Sequence, residues 1–427
     1  MRAVRGVLPP GHAIRVLMAG ALVDAFGSGL FTATATLYFV TVAGFPASQV
    51  ALALSLAALC GLVSPLPLGR VADRFGVVRT YVPLLILRGL GYASYVFVHS
   101  IVGYAVLTCL ISAMDRGCSP LLQVIVGSIA GDKERTRSLA SIRSVRNIGT
   151  TGGFLAAGAI LAFHTGLAFD IVFVANGVSF GAIGIMVLRA VRISPLTPVP
   201  VAGRRGKAST IRPPLRNPGF VIFTFSNGLM MLYDTVISVL LPIWIVQRTD
   251  LPTTLLPPLL VVNTILTIVL QLVASRLVGS LAASLRLVRY AAASMVLGCG
   301  LFAAAEHLAM WAAILAAIGA VLMVTVAENI HQVASWELSY AMSPASARAR
   351  YLGAFSMGQS AQRIVGPALL VSVLFPLHEW AWPALAALFV VVATVALSSA
   401  GSAIRYGLAD GSADARAVPV PLEVGMP

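Results

Sequence analysis

Four carboxylate residues lie inside long apolar stretches of this 427-residue chain, namely Asp24, Asp115, Asp234 and Glu328. If those stretches cross a bilayer, a charge near the centre costs on the order of 2.5 kcal/mol or more, which makes each residue a functional candidate. A carboxyl group in nonpolar surroundings exchanges its proton closer to neutral pH than one in water. The four acids therefore predict proton-coupling or substrate-binding chemistry.

Two of these acids also have a structural interpretation. Asp24 has Gly27 and Ser28 on the same helical face, which leaves space for a ligand or water, but an internal structural ion pair is the alternative. Asp234 lies beside Met230 and Met231. Thioether side chains suit irregular apolar ligands, and they also fill protein cores, so both interpretations of Asp234 stay open.

A polar stripe surrounds Glu328 at spacings of three and four residues: Thr325, Glu328, His331, Gln332 and Ser335. Such a stripe must face protein or water, so His331 is a further site candidate. Glu328 and His331 also match half of a di-metal motif, but the sequence has no second copy, and we expect no metal. Arg363, in another apolar stretch, is expected to pair with Glu328 or to attract an anionic substrate.

Asp115 and Arg116 are neighbours in the sequence, so their side chains point about 100° apart on a helix and do not neutralise each other. Asp115 therefore needs a partner from another helix, for which Arg143 or Arg146 is the expected residue. Arg88 is expected to lie in the interior of a helix bundle or to extend toward the membrane surface.

The composition identifies the elements that hold these residues. Of all residues, 58% are hydrophobic and 10% are charged, and the mean hydropathy is +0.92. Stretches of about 20 apolar residues cross a bilayer as helices. We predict an all-α polytopic membrane protein with twelve transmembrane spans, at 15–42, 49–68, 80–98, 101–130, 139–163, 168–188, 219–246, 254–275, 288–305, 310–337, 351–376 and 380–402.

The net charge of +14 records the orientation of these spans. Of the 29 Lys and Arg residues, only Arg248 lies in an odd-numbered loop, and Arg88, Arg116 and Arg363 lie within spans. This asymmetry predicts a multi-pass protein of the cell membrane, inner or plasma, with both termini in the cytoplasm. It also predicts contact with anionic lipids and no nucleic-acid partner.

Residues 69–79, after the second span, read GRVADRFGVVR. This segment resembles the G-x-x-x-D-R-x-G-x-x-R signature of the major facilitator superfamily, a group of membrane transporters. The resemblance implies a cytoplasmic gate motif made of Gly69, Asp73, Arg74, Gly76 and Arg79. It further implies that Asp73 faces the positive N-terminal end of the eleventh span, which begins near Tyr351.

The fifth span contains the sequence GTTGGFLAAG at residues 149–158. It is similar to the G-x-x-x-G-P-x-x-G-G signature of family antiporters, although Phe154 replaces the proline and Ala157 a glycine. The resemblance favours antiport, while plain helix packing explains the small residues equally well. The residues assigned to this antiporter-like motif are Gly149, Gly153, Gly158 and, in the eleventh span, Gly366 and Pro367.

Weak internal similarity divides the chain into two parts. Shifting the sequence by 213 residues places Asp115 on Glu328 and Gly153 on Gly366, and a shift of 206 places Tyr38 on Trp244. We predict two pseudo-symmetric six-helix bundles, 1–190 and 218–402, joined by a basic, proline-rich cytoplasmic linker, 191–217, and followed by a cytoplasmic tail, 403–427. Tyr38 and Trp244 are the expected interfacial anchors near the outer ends of spans one and seven.

The resemblance and the acids together predict a proton antiporter of the drug-efflux type that exports a small amphipathic, apolar or cationic compound. No phosphate-binding loop is present in the sequence, so we expect no direct ATP drive by this chain. The predicted antiport uses a proton gradient as the driving force, and it implies no ATPase subunit and no cofactor. We expect a monomer. The alternatives are an importer or facilitator of a small metabolite and, remotely, a polytopic membrane enzyme or receptor.

Overall fold

The computed structural model describes residues 11–161, 166–195 and 213–409, and every regular element in these ranges is helical. In these described ranges, nine helical stretches are long and apolar enough to cross a membrane. Many large apolar side chains are exposed on the surface, as a lipid environment requires. The protein is an all-α polytopic membrane protein. The middle of the predicted linker, 196–212, and the end of the predicted tail, 410–427, lie outside the described residues, and the predicted domain bounds remain a prediction.

We refer to the helices before the linker as the N-terminal half: α1 (His12–Leu37), α2 (Ala47–Val63), α3 (Pro65–Phe75), α4 (Val77–Ser94), α5 (Ile101–Leu161) and α6 (Gly166–Ile193). Helix α5 changes direction at Gly131, whose φ of 69° and ψ of 169° are open to glycine alone among common residues. Its two arms correspond to the predicted spans four and five.

The helices after the linker form the C-terminal half: α7 (Pro218–Met230), α8 (Leu232–Thr235), α9 (Leu241–Arg248), α10 (Leu256–Leu277), α11 (Leu281–Ala305), α12 (Met310–Ala341), α13 (Arg348–Ala368) and α14 (Ala381–Ala409). Local caps start two of them. The Asn217 side chain accepts a hydrogen bond from the Phe220 N–H at 3.1 Å, and Ser280 accepts one from the Ala283 N–H at 3.1 Å.

The predicted span seven is interrupted in the structure. Helix α7 ends at Met230, the single turn of α8 follows, and a π-helical turn over Val236–Leu240 precedes α9. Two further π-helical turns follow α1 and α13, at Tyr38–Val42 and Leu369–Leu374. A π-helical turn contains one residue more than an α-helical turn, and it therefore bends the helix locally.

The segment 69–79 lies between two predicted spans and was expected to be a loop, but it is mostly helical. Helix α3 continues through Asp73 to Phe75, and Gly76 alone, with φ 98°, separates it from α4. Charged residues do not stop a helix by themselves. The reversal needs only one residue with positive φ, which Gly76 provides.

Buried apolar side chains form two clusters that belong almost entirely to one half each. In the N-terminal cluster the Phe39 ring lies 4.4 Å from Tyr104 and 6.0 Å from Phe173 between ring centroids. In the C-terminal cluster the expected anchor Trp244 is fully buried, and its indole N–H donates to Glu306 at 2.7 Å. The anchor prediction for Trp244 is therefore wrong, because its polar atom has a partner inside the protein.

Candidate functional site

A cavity of about 860 Å³ lies between the two halves. Its wall contains five of the predicted site residues: Asp24, Asp115, Asp234, Glu328 and Arg363. His331 lies elsewhere, because its ring is buried inside the C-terminal half, where Nδ1 is 3.3 Å from the Tyr233 hydroxyl. Residues of the predicted polar stripe therefore divide between the cavity wall and the interior of the C-terminal half.

The charged residues of the cavity other than Arg135 and Glu337 lie at a similar depth. We call the end of the molecule at which α1 and α13 begin, and which carries Asp73, the Asp73 end. Asp24 follows the first residue of α1 by twelve positions, or about 18 Å at 1.5 Å per residue. Arg363 follows the first residue of α13 by fifteen, or about 22 Å. These charges form a layer near mid-depth.

In the N-terminal half, acids and bases of this layer form a continuous network. Arg146 is ion-paired with Asp24, and Arg88 contacts Asp24 at 3.5 Å and is also ion-paired with Asp115. The Tyr92 hydroxyl donates to Asp115 at 3.0 Å. Asp115 is therefore paired with Arg88, where Arg143 or Arg146 was expected.

Arg88 can hold two acids because of its position in the bundle. Its side chain is 7% exposed, and its guanidinium lies 4.3 Å from the centroid of the Phe180 ring. This places it in the bundle interior, which was one of its two expected positions. The structural ion pair of Asp24, which the sequence left as an alternative, is present in the structure.

A second group of ion pairs joins the two halves. Glu328 of α12 contacts Arg143 of α5 at 3.3 Å, with side-chain exposures of 14% and 27%. Glu328 is thus paired with Arg143, where the sequence suggested Arg363 as its partner. Within the described part of the chain, neither Arg363 nor Asp234 has an ion pair.

A further contact between the halves was missed in the sequence. Glu337 of α12 accepts from Arg135 at 2.5 Å and from Thr136 at 2.6 Å. The Tyr340 ring lies between two guanidiniums, 3.7 Å from that of Arg135 and 4.0 Å from that of Arg348. A signal was available, because the 213-residue shift aligns Arg135 with Arg348 and so relates the two arginines that share this ring.

The gate motif makes the contact that the resemblance implied. The Asp73 carboxylate accepts hydrogen bonds from the Ala349 N–H at 3.1 Å and the Arg350 N–H at 3.2 Å, at the start of α13. Close backbone packing surrounds this contact. A Cβ on Gly69 would lie 2.7 Å from the Ala349 carbonyl oxygen, and one on Gly353 would lie 2.9 Å from the Pro65 carbonyl carbon.

The other motif residues have packing or surface positions. A Cβ on Gly149 would lie 2.7 Å from the Leu22 carbonyl oxygen, so α5 packs closely on α1 at this point. Gly153 lies at the same close contact between the two helices. Gly366 packs against Thr235, where a Cβ would lie 2.8 Å from the hydroxyl oxygen. Pro367 and Gly158 lie within helices α13 and α5. Arg74 and Arg79 are exposed at the Asp73 end.

The charge balance of the cavity differs from the one inferred from the sequence. Five acids line the wall, Asp24, Asp115, Asp234, Glu328 and Glu337, against six arginines, Arg88, Arg116, Arg135, Arg143, Arg146 and Arg363. Three of these arginines belong to the 131–146 region, which the sequence assigned to a cytoplasmic loop and the start of a span. To the four acids and three arginines that the sequence placed within spans, the cavity wall therefore adds one acid and three arginines, so that arginines outnumber acids.

The arrangement is suited to binding and passage of a molecule. Polar contacts that join the halves run from the charged layer to the Asp73 end, which closes the cavity on that side. Among the described residues no group of three or more His, Cys, Asp and Glu is placed to hold a metal ion. The ion pairs that cross between the halves are the contacts that must break if the halves move apart.

Comparison with known proteins agrees with this geometry. The family model described as Major Facilitator Superfamily matches residues 17–367. A search of curated proteins found no match.

Several solved structures share the fold at low sequence identity. A bacterial homologue of the iron transporter ferroportin, in its outward-facing state, is 16% identical with a TM-score of 0.66, covering 93% of this chain and 100% of its own. The human organic anion transporter MFSD10 is 15% identical with a TM-score of 0.63, covering 91% and 100%. The E. coli fucose:proton symporter FucP is 13% identical with a TM-score of 0.64, covering 91% and 98%.

Proposed function

Because the chain belongs to the Major Facilitator Superfamily and is a transporter and not an enzyme, we propose that it exports a small amphipathic molecule from the cytoplasm in exchange for protons. The orientation is the one that the positive residues predict, with the Asp73 end and both termini in the cytoplasm of a cell-membrane protein. A proton gradient supplies the energy without a cofactor or an ATPase subunit, and the protein acts as a monomer.

The observation that carries the proposal is the Glu328–Arg143 pair, which joins the two halves at the cavity wall. While Glu328 is ionised, its attraction to Arg143 favours the arrangement in which the Asp73 end is closed. A proton on Glu328 removes that attraction and allows the halves to part at the cytoplasmic side. Deprotonation into the cytoplasm then restores the pair, so each cycle moves a proton inward as substrate moves outward.

The gate motif contributes to the same equilibrium. Asp73 holds the start of α13 against α3 only while the Asp73 end is closed, because both hydrogen bonds cross between the halves. The negative charge of Asp73 also stabilises the positive N-terminal end of α13. Gate and coupling residue therefore favour one conformation together, and both contacts break in the other.

Reconstituted vesicles containing pyranine test the exchange. Ethidium, 1-naphthoate and 1-naphthalenemethanol supply a cationic, an anionic and an uncharged amphipath, and we expect flux of the transported probe to drive opposite proton flux. Glu328→Gln should reduce that coupling at least about tenfold, while the surface variant Glu134→Gln should retain it. Probe flux without proton flux, or full coupling after neutralising Asp24, Asp115, Asp234 and Glu328 together, would contradict the proposal.

An importer or facilitator of a small metabolite is the second candidate. It is favoured by the pairing of Asp24, Asp115 and Glu328 with arginines, which leaves Asp234 as the one predicted acid without an ion pair among the described residues. An ion-paired carboxylate holds its charge more firmly and carries protons less readily. Probe uptake that is insensitive to the pH gradient would favour this alternative.

A further inference from the structure

We propose that Arg116 and Arg363 together bind the anionic group of the transported molecule, so that the substrate is an amphipath with one carboxylate or sulfonate group. The proposal rests on the cavity being the transport route, as proposed above, but it is independent of proton exchange.

The two arginines face the cavity from opposite halves at the same depth. Arg116 precedes the bend at Gly131 by fifteen residues, and Arg363 follows the start of α13 by fifteen, so each lies about 22 Å from the Asp73 end. The Arg116 side chain crosses the bare backbone at Gly61, where a Cβ would lie 2.9 Å from its Cγ. Because Gly61 has no side chain, the Arg116 side chain can extend past it to the cavity.

The other four arginines of the wall have acid partners, in the pairs Arg88–Asp115, Arg135–Glu337, Arg143–Glu328 and Arg146–Asp24. Arg116 and Arg363 have no acid partner within the described ranges. The charge of Arg363 acts unfavourably on Arg116, and the favourable effect of Asp115 on Arg116 comes from a carboxylate that is already ion-paired with Arg88. Two like charges that share a partly enclosed cavity are costly unless an anion compensates them. A carboxylate or sulfonate can accept hydrogen bonds from both guanidiniums.

The rest of the wall sets the size and charge of the ligand. Asp234 is the acid of the wall without an ion pair among the described residues, so the unpaired groups are two cations and one anion. Their excess of one positive charge fits a monoanion. The aromatic side chains of Phe31, Tyr95 and Trp336 also line the cavity, and they suit an apolar or aromatic body.

The experiment measures the electrostatic potential beside Arg363 in the cavity, and it does not require the natural substrate to be known. Cysteine is placed at Gln359, a half-buried wall residue one turn from Arg363, after replacing the four native cysteines with alanine. The probes are the anion 2-sulfonatoethyl methanethiosulfonate and the cation 2-(trimethylammonium)ethyl methanethiosulfonate, with rates normalised to those of free 2-mercaptoethanol. The protein is held in phosphatidylcholine nanodiscs, without a proton gradient.

We expect the anion to react faster than the cation, and the rate ratio to fall about tenfold in the double variant Arg116→Gln/Arg363→Gln. The matched control Arg286→Gln/Arg289→Gln removes two exposed charges outside the cavity wall and should leave the ratio unchanged. An equal or faster reaction of the cation, or a ratio unaffected by the first double variant, would overturn the anion site.

Nanodiscs with one third phosphatidylglycerol distinguish a lipid headgroup from a soluble ligand. Slower anion labelling in these discs would assign the arginine pair to a lipid and overturn the proposed substrate class, whereas unchanged labelling supports it. A preserved rate ratio together with absent proton exchange in vesicles would reject the antiport proposal and keep the anion site.

Discussion

The two halves of the transporter contribute charges to the same cavity in different ways. In the N-terminal half, Asp24, Asp115, Arg88 and Arg146 neutralise one another within a single helix bundle. In the C-terminal half, the ion pairs that Glu328 and Glu337 form with described residues are both with arginines of the other half. The difference indicates that the network of Asp24, Asp115, Arg88 and Arg146 can persist when the halves move, whereas the pairs of Glu328 and Glu337 must break.

The largest effect is expected from the internal network. Arg88→Leu leaves the buried carboxylate of Asp24 and the half-buried carboxylate of Asp115 with one arginine, and removal of one partner from a buried ion pair typically destabilises a protein by about 3–5 kcal/mol. We expect a corresponding loss in the free energy of unfolding, measured by denaturant titration in detergent. Arg363→Leu is the matched control, and it should cost less than about 1 kcal/mol. Equal losses in both variants would remove the distinction between the halves.

The next effect concerns the backbone contact between α3 and α13. A side chain on Gly353 meets the Pro65 carbonyl group, and forced packing of this kind costs about 1–3 kcal/mol. We expect Gly353→Val to open the Asp73 end, measured as a longer distance between spin labels at Phe75 and Ala341 by electron paramagnetic resonance. Gly300→Val is the control, because no atom lies within 4 Å of a Cβ at Gly300. An unchanged distance distribution would show that the contact is dispensable.

A smaller shift is expected from Glu337→Gln. The amide oxygen still accepts from Arg135 or Thr136, but the charge is lost, and a hydrogen bond to a charged group contributes about 1.5–3 kcal/mol before this compensation. The same spin-label pair should report a partial opening. Glu134→Gln changes a half-exposed pair with Arg137 inside one half and should shift nothing. Opening by the Glu134 variant would mean that general surface charge, and not the contact between halves, controls the equilibrium.

The smallest effect is expected from Asp73→Asn. The asparagine oxygen retains one hydrogen bond to the start of α13, so the loss is chiefly the interaction of the charge with the helix end, about 0.3–1 kcal/mol. The open population should rise about two- to fivefold at equilibrium. A decrease in that population would contradict the role assigned to Asp73 in holding the Asp73 end closed.

The sequence was sufficient for the helical fold, since long apolar stretches in a membrane have few alternatives. It was also sufficient for the contact of Asp73 with α13, because a recurrent motif carries that geometry. The ion-pair partners predicted for Asp115 and Glu328 were wrong. Side-chain pairing depends on helix rotation and on the reach of arginine, and one sequence contains neither quantity.

Breaks inside helices were equally hard to predict. The interruption at Met231 contains no proline or glycine, so the sequence shows no local signal there, whereas the π-helical turn after Thr235 is followed by Pro242, which lacks a backbone N–H. Gly131 and Gly76 are glycines among many others, and only the structure shows that these two have positive φ. Tertiary packing decides such points, and it overrides weak local preferences.

The interruption of span seven has a mechanical consequence. Asp234 lies in the single turn of α8, between the irregular residue Met231 and the π-helical turn. The Ser238 hydroxyl donates a hydrogen bond to the Asp234 backbone carbonyl at 2.7 Å. The helix can therefore pivot at this joint without abandoning a regular hydrogen-bonded ladder on either side. Asp234 also lines the cavity, so a molecule bound beside it contacts this joint directly, and we expect occupancy of the cavity to be coupled to bending of its wall.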